Sequence, residues 1–322
     1  MKILVTGGLG YIGSHIAKIL GKKSIIIDDQ SNSNLNYKKY LPLSKVYKEK
    51  INPRSLNKIF TENKIDGVIH LAGLKSVGES VSNPMKYYQN NVVSTIYLLE
   101  LMKNFKINKL IFSSSSTVYG EDNASPFKEN MKLNTTNPYG RTKIHIEQII
   151  EDYCKSNKAF RAICLRYFNP IGADIKSCLS DQPKGEPQNL IPILIQAIKL
   201  NKEFKIYGND YDTKDGTCIR DYIHIKDLAN AHFLAYKNLT KIKGYLPINL
   251  GLGKGLSVLE VVKLFEKINN ISIDCSISKR RKGDVAISFA DNRLAKKVLG
   301  WEPKLSYEEM IKDSWQGYLK NH

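Results

Sequence analysis

Tyr139 and Lys143 stand four residues apart just after Pro138. That spacing puts both on one face at the start of a helix. A free phenol titrates near pH ~10 and an adjacent ammonium favours its ionised form, so the pair can take up and return a proton. Such pairs occur by chance on many helices, but here the run Ser113-Ser114-Ser115-Ser116-Thr117 supplies a context. It closes the apolar stretch Leu110-Ile111-Phe112, and ligands of open α/β sheets bind at the carboxyl ends of strands. A hydroxyl at that place could relay a proton between a substrate and Tyr139.

A second constellation, Gly7-Gly8-Leu9-Gly10-Tyr11-Ile12-Gly13, joins the strand-like Ile3-Leu4-Val5 to a helix over 11–20. Gly7 and Gly10 allow a tight turn and let the backbone approach a pyrophosphate, and Gly13 allows helix and strand to pack closely. The helix start at Tyr11 and Ile12 offers N–H donors to the phosphates. Asp28 ends the next apolar run, Ile25-Ile26-Ile27. An acid there suits two ribose hydroxyls and repels a 2′-phosphate, so the expected cofactor is NAD rather than NADP. Gly251-Leu252-Gly253-Lys254-Gly255 lacks the spacing of a phosphate-binding loop and reads as a turn before a helix capped by Ser257.

These groups must be carried by a sheet. The apolar runs at Ile3, Ile25, Val68, Leu110 and Ala162 alternate with helical patterns, which predicts a doubly wound α/β fold with a parallel sheet covered on both faces. Pro53, Pro84 and Pro138 mark the starts of helices over 56–60, 85–105 and 139–154. After Asn169 a Gly- and Pro-containing polar stretch suggests a hinge. The expected organisation is an NAD-binding Rossmann-like domain over 1–169 and a smaller C-terminal α/β substrate domain over 170–322, with room for some of its segments to return to the first. Helices are expected near 190–200, 226–236, 258–269 and 307–319, with a strand over 204–207.

The chain of 322 residues is 42% hydrophobic and 25% charged, which excludes a mainly disordered, collagenous or coiled-coil protein. Its apolar runs are too short to span a bilayer, and Thr6-Gly7-Gly8 interrupts what could otherwise pass for a signal sequence, so a cytoplasmic location is expected. Five cysteines without a Cys-x-x-Cys pair and six scattered histidines point to neither a disulfide framework nor a metal site. The net charge of +18 comes from lysines spread over the whole length, which reads as a solvated basic surface, with neither nucleic acid nor membrane as partner. The competing reading is a catalytically silent NAD-binding module that holds RNA. It would call for loss of Tyr139 or Lys143, or a basic stripe interleaved with aromatics.

Longer segments carry a resemblance. Thr6-Gly7-Gly8 through Ser14-His15, His70-Leu71-Ala72-Gly73-Leu74-Lys75, Tyr87-Tyr88-Gln89-Asn90-Asn91, Pro138-Tyr139-Gly140-Arg141-Thr142-Lys143, Arg166-Tyr167-Phe168-Asn169-Pro170 and Arg220-Asp221-Tyr222-Ile223-His224 are similar to those of the UDP-glucose 4-epimerases, within the extended short-chain dehydrogenase/reductase family. The resemblance spans nearly the whole chain. It implies Ser115, Tyr139 and Lys143 as catalytic residues. It also implies NAD contacts at Gly7, Gly10, Tyr11, Ile12, Gly13, Asp28, Leu71, Ala72, Gly73, Lys75, Asn90, Ser113 and Phe168, with Tyr139 and Lys143. UDP-sugar contacts follow at Lys75, Ser115, Tyr139, Asn169, Asn189, Leu190, Tyr207, Arg220, Arg281, Asp284 and Ser288. The implied reaction inverts carbon 4 of the sugar through a 4-keto intermediate. The implied assembly is a homodimer joined through the helix over 85–105 and the helix after Pro138.

Two departures from the family pattern stand out. The family's adenine-binding acid after the third strand aligns with Lys50, which leaves Glu49 as its substitute. Its Arg-Arg-Pro-Gly-Asp loop is here Arg280-Arg281-Lys282-Gly283-Asp284. Four residues past that loop, where a tyrosine goes with restriction to UDP-glucose and UDP-galactose, this chain has Ser288. The expected range therefore includes UDP-N-acetylglucosamine and UDP-N-acetylgalactosamine. Related dehydratases carry an Asp-Glu pair after the active-site threonine, whereas Thr117 is followed by Val118-Tyr119-Gly120. Elimination, or decarboxylation by another relative of the same fold, ranks below epimerisation.

Overall fold

The computed structural model describes residues 2–281 and 283–321. The chain opens with β1 (Lys2–Thr6), α1 (Tyr11–Leu20), β2 (Ser24–Ile27), α2 (Tyr37–Tyr40), β3 (Lys45–Tyr47), α3 (Pro53–Glu62) and β4 (Ile65–His70). It continues through α4 (Val77–Ser82), α5 (Pro84–Tyr87), a π-helical turn (Tyr88–Val93), α6 (Ser94–Asn104), β5 (Lys109–Ser113), α7 (Pro138–Ser156) and β6 (Arg161–Tyr167). Then come β7 (Asn169–Ile171), α8 (Leu190–Lys199), β8 (Phe204–Tyr207), β9 (Ile219–Arg220), β10 (Tyr222–His224), α9 (Ile225–Asn238) and β11 (Gly244–Leu250). The chain closes with β12 (Leu256–Ser257), α10 (Val258–Asn269), β13 (Cys275–Ser278), β14 (Ile287–Ser288), α11 (Arg293–Leu299) and α12 (Tyr307–Leu319).

Seven parallel strands form one sheet in the order β11-β6-β5-β4-β1-β2-β3. Alternate side chains of each strand enter opposite cores. Ile3, Val5, Ile26, Ile69 and Ile111 pack under α1 and α9, whereas Leu4, Ile25, Val68, Leu110 and Phe112 pack with residues of α3, α6 and α7. This burial on both faces is why the strands read as unbroken apolar runs. The strand order reverses between β1 and β4, and the crevice that opens there is where such sheets bind ligands.

The chain passes between its two layers more than once. After β10, α9 packs on α1, and β11 pairs with β6 over seven residues, so 225–250 belong to the large sheet. The second layer holds three small sheets, β10-β7, β12-β9-β14 and β13-β8, with α8, α10 and α12 around an apolar cluster that includes Leu194, Phe204, Val261, Phe265 and Met310. The single helix expected over 85–105 is present and runs unbroken from Pro84 to Asn104, through α5, a π-helical turn and α6. The local cause of that turn is visible: Ser94 and Thr95 return their hydroxyls to the carbonyls of Asn90 and Asn91 (2.5 and 2.7 Å), a back-bonding that distorts helices. Ser257 caps α10 as expected, in a reciprocal box with Glu260.

Candidate active site

The glycine turn is built for an anion. Gly7 has φ +67°, and a Cβ there would stand 2.8 Å from the Ala72 nitrogen; one on Gly13 would stand 2.2 Å from the Gly7 oxygen. Both glycines are therefore demanded by the protein's own packing. Gly10 is different, because a Cβ on it would meet only the Gly7 oxygen, at 3.4 Å. The turn is open at that point, and α1 begins with Gly10 as a cap that offers no side chain. The first N–H groups of Tyr11 and Ile12 are thus left without a side-chain cap and are available to an anion. A cavity of about 180 Å³ lies over this turn, bordered by Leu9, Gly10, Tyr11, Ser33 and Lys75. A neighbouring cavity of about 330 Å³ lies behind Tyr11, against Gly172, Ile191 and Tyr318. Neither is lined by Tyr139.

Asp28 follows β2 directly. One of its oxygens accepts from the Leu9 N–H (3.0 Å) and the other from the Gln30 N–H (2.7 Å), which leaves lone pairs for two ribose hydroxyls. Burial raises its pKa, opposed by those two donors. Across the crevice, Thr6 Oγ1 accepts from the N–H groups of Leu71 and Ala72 (3.2 Å each) and meets His70 Nδ1 at 2.6 Å. Gly73 and Lys75 flank Leu74, whose N–H and carbonyl are both held by the buried amide of Asn91 (2.8 and 3.0 Å). Asn90 itself is exposed on the π-helical turn. Phe168 is buried among Val118, Tyr119 and Phe127. Near the expected adenine contact, Glu49 pairs with Lys58 (2.9 Å) and the Lys50 side chain is exposed. The open glycine, the uncapped helix and the acid beside them fit a dinucleotide with a free ribose 2′-hydroxyl.

Ser115, Tyr139 and Lys143 come together where β5 ends and α7 begins. Asn137 caps α7 by accepting from the Gly140 N–H, and Pro138 occupies its first turn, so Tyr139 is set at the mouth of the crevice. Lys143 Nζ donates to the Ser113 carbonyl at 2.7 Å and lies 4.7 Å from the centre of the Phe112 ring and 5.9 Å from that of Tyr139. Burial lowers the Lys143 pKa to about 8, opposed mainly by the charge of Glu147. Burial also raises the pKa of Tyr139, and a hydrogen bond with Ser115 pulls it back. Burial of the site therefore opposes the ionised phenol that an adjacent ammonium favours. Ser113 turns its hydroxyl to His232 Nε2 (2.9 Å) and offers its carbonyl to Lys143.

The expected diphosphate contacts are also neighbours. Asp284 lies between Arg220 (3.5 Å) and Arg281 (3.3 Å), and the Arg281 guanidinium stands 4.6 Å from the centre of the Tyr207 ring. Ser288 is buried and paired in register with Arg220. Asn169 pairs with Tyr222 in the short sheet beside it. Asn189 reaches Asp181 (3.2 Å) and precedes Leu190, the first residue of α8. Asp221 explains its own motif: its carboxylate accepts from the N–H groups of Leu252, Gly253 and Ala290 (2.7, 3.0 and 3.1 Å), fixing the second glycine-rich turn against β14. Sequence reasoning missed Asn91, Glu147 and Arg166. Glu147 repeats the four-residue spacing of Tyr139 and Lys143, and Arg166 is a charge inside an apolar strand, which was the available signal.

Fold and site together define a dinucleotide-binding α/β protein in which a serine, a tyrosine and a lysine meet at the carboxyl end of β5. The chain belongs to the NAD dependent epimerase/dehydratase family, whose model matches residues 3–251. It is 44% identical over 331 aligned residues to a UDP-glucose 4-epimerase of Bacillus subtilis (strain 168), covering 100% of this chain and 98% of the relative. Among solved structures, a UDP-glucose 4-epimerase from Bifidobacterium longum in complex with NAD+ and UDP superposes with a TM-score of 0.95 at 41% identity, covering 100% of this chain and 99% of that one. The UDP-Glc/GlcNAc 4-epimerase of Campylobacter jejuni matches with a TM-score of 0.85 at 32% identity, covering 99% of each chain.

Proposed function

We propose that this protein is an NAD-dependent UDP-sugar 4-epimerase that interconverts UDP-glucose with UDP-galactose and UDP-N-acetylglucosamine with UDP-N-acetylgalactosamine. The observation that carries the reading is the convergence of Ser115, Tyr139 and Lys143 at the carboxyl end of β5. Full-length likeness to UDP-glucose 4-epimerases supports it. Tyr139, through Ser115, takes the proton of the sugar 4-hydroxyl and later returns it, with the ammonium of Lys143 offsetting the negative charge that the phenol acquires. Bound NAD accepts and restores the hydride of carbon 4. Arg220 and Arg281 neutralise the diphosphate with charge-assisted hydrogen bonds. Anchoring at the diphosphate leaves the sugar free to turn and present its other face. Elimination is disfavoured because the turn after Ser115 (Ser116–Tyr119) buries Val118 and Tyr119 in an apolar cluster and carries no acid.

The small Ser288 supports acceptance of acetamido sugars, and the Campylobacter relative's two-substrate name is consistent with such a range in this fold. A homodimer is supported by the exposed Val77, Val81, Met85, Val93 and Ile96 along α4 to α6, an apolar surface that a second copy would cover. No helix among the described residues is long and apolar enough to cross a membrane. Incubation of the purified protein with UDP-galactose and with UDP-N-acetylgalactosamine, with no cofactor added, tests the reading by chromatography of the products. Absence of UDP-glucose from the first mixture overturns it.

A further inference from the structure

Tyr139, Lys143 and Glu147 recur every fourth residue and form one buried stripe on α7. Beyond Glu147 that face is apolar, with Ile150 and Cys154 in the core. A carboxylate at this depth is costly unless it is fully engaged, and Glu147 is. It accepts from Arg166 Nη2 (2.6 Å) and Nε (3.0 Å), from the Tyr245 hydroxyl (2.6 Å) and from the Ser114 hydroxyl (2.5 Å). Its side chain and that of Arg166 are only 2% and 3% exposed. Arg166 is itself clamped from the far side by the Tyr119 hydroxyl (3.1 Å) and the Glu129 carbonyl (3.0 Å).

Two features of this cluster point toward the chemistry. Ser114 lies between Ser113, whose carbonyl receives Lys143, and Ser115, the partner of Tyr139. Glu147 therefore ties down the strand end that carries both contacts. The titratable groups around Lys143 are Tyr139 and Glu147 on α7, His70 on β4 and Cys164 on β6. Burial holds His70 neutral and raises the Cys164 thiol's pKa. Glu147, ion-paired with Arg166, lies one helical turn beyond Lys143 on the same buried face and favours the protonated lysine.

We propose that Glu147 is a positioning residue for the reaction: its carboxylate, clamped by Arg166, is the counter-charge of Lys143 and, through Ser114, the anchor of the strand end bearing Ser113 and Ser115. Catalysis is then set from a second row of residues that touches neither sugar nor cofactor. The proposal rests on Tyr139 and Lys143 acting as described above, so Tyr139→Phe is measured beside it.

The experiment is the pH profile of kcat for UDP-galactose in wild type, Glu147→Gln, Glu147→Asp and the double variant Glu147→Gln/Arg166→Met. Replacing a buried pair by uncharged groups of similar size is commonly tolerated by the fold, so the double variant remains readable if the single one does not fold. Glu147→Gln should move the alkaline limb down by about one pH unit or more, the effect of losing an opposite charge at close range, with KM changed less than about twofold. Glu147→Asp should recover most of the limb because the charge remains. The double variant should keep the downward shift. A wild-type limb in Glu147→Gln, or its return to wild type in the double variant, overturns the proposal, because the second result would assign the shift to an unpaired Arg166. Near-normal turnover of Tyr139→Phe would instead overturn the catalytic reading itself.

Discussion

The ammonium of Lys143 donates to the main-chain carbonyl of Ser113 at 2.7 Å, with its nitrogen 5.9 Å from the centre of the Tyr139 ring. Lys143 is thus tethered to the strand end beside Tyr139. Tyr139→Phe removes the proposed base and should lower kcat by roughly 10²-fold or more, the scale of a lost general base, with UDP affinity little changed. Lys143→Met should lower kcat on a similar scale. Steady-state kinetics with calorimetric UDP titration checks both.

Gly10 and Gly7 should fail in different ways. Gly10 has φ −73° and open space before it, so Gly10→Ala should leave the melting temperature almost unchanged, at a cost below ~1 kcal/mol, while obstructing the phosphates. Gly7→Ala forces a side chain onto a backbone at φ +67° and against Ala72, and the φ alone costs ~1–2 kcal/mol. Denaturing each purified variant and identifying the released nucleotide should give NAD from wild type, much less from Gly10→Ala, and a lowered melting temperature for Gly7→Ala. Mainly NADP from wild type would contradict the role of Asp28.

Acid should destabilise the fold through its histidines. Burial lowers the pKa of His70 and His224 to about 3 and that of His232 to about 4, from an ordinary 6.5. Below pH 6.5 the unfolded chain therefore binds protons that the folded chain refuses, and stability falls as pH drops from 6.5 toward 4. The slope is at most ~1.4 kcal/mol per pH unit for each histidine. Urea melts at pH 7.5 and 5.5 should show the loss, and His232→Gln should reduce it. Equal midpoints in wild type would contradict the assignment.

Met85 is 70% exposed and Val81 64%, so a charge there should cost little in a monomer and much in a buried interface. Met85→Lys combined with Val81→Glu should shift sedimentation from dimer to monomer with an unchanged melting curve of the monomer. A wild-type monomer would remove the homodimer from the reading.

The sheet was legible because its strands are buried on both faces: Ile25-Ile26-Ile27 has no polar position to mistake for a solvent face. The glycine turn, Asp28 and the capped helices were legible for a similar reason, since each depends on a local backbone requirement. What could not be read was long-range. β11 begins 77 residues after β6 ends, counting from Tyr167 to Gly244, yet pairs with it along its whole length. Arg166 finds Glu147 across α7 and β6, and nothing local in either segment announces the partner. How strongly burial opposes the phenolate at Tyr139 could not be read either, because burial is a property of the folded whole.

Ser288 tests the substrate range most directly. It is buried in β14, in register with Arg220 of β9, and the Asp221 N–H donates to its carbonyl (2.9 Å). The position is therefore fixed by backbone hydrogen bonds to the segment that carries Arg220, the arginine proposed to hold the diphosphate, and on that reading the bulk of its side chain sets the room beside the sugar. A serine leaves space that a tyrosine would fill. Wild type should turn over both UDP-glucose with UDP-galactose and the N-acetylated pair. Ser288→Tyr should lower kcat/KM for the N-acetylated pair at least tenfold more than for the other, because an enforced clash discriminates more sharply than a lost contact. Melting temperature and UDP affinity serve as controls, since overpacking a buried site carries its own cost of ~1–3 kcal/mol. If wild type fails to act on UDP-N-acetylglucosamine, or if Ser288→Tyr slows both pairs equally, other side chains occupy the space beside Ser288 and the 4-epimerase is confined to the unacetylated pair.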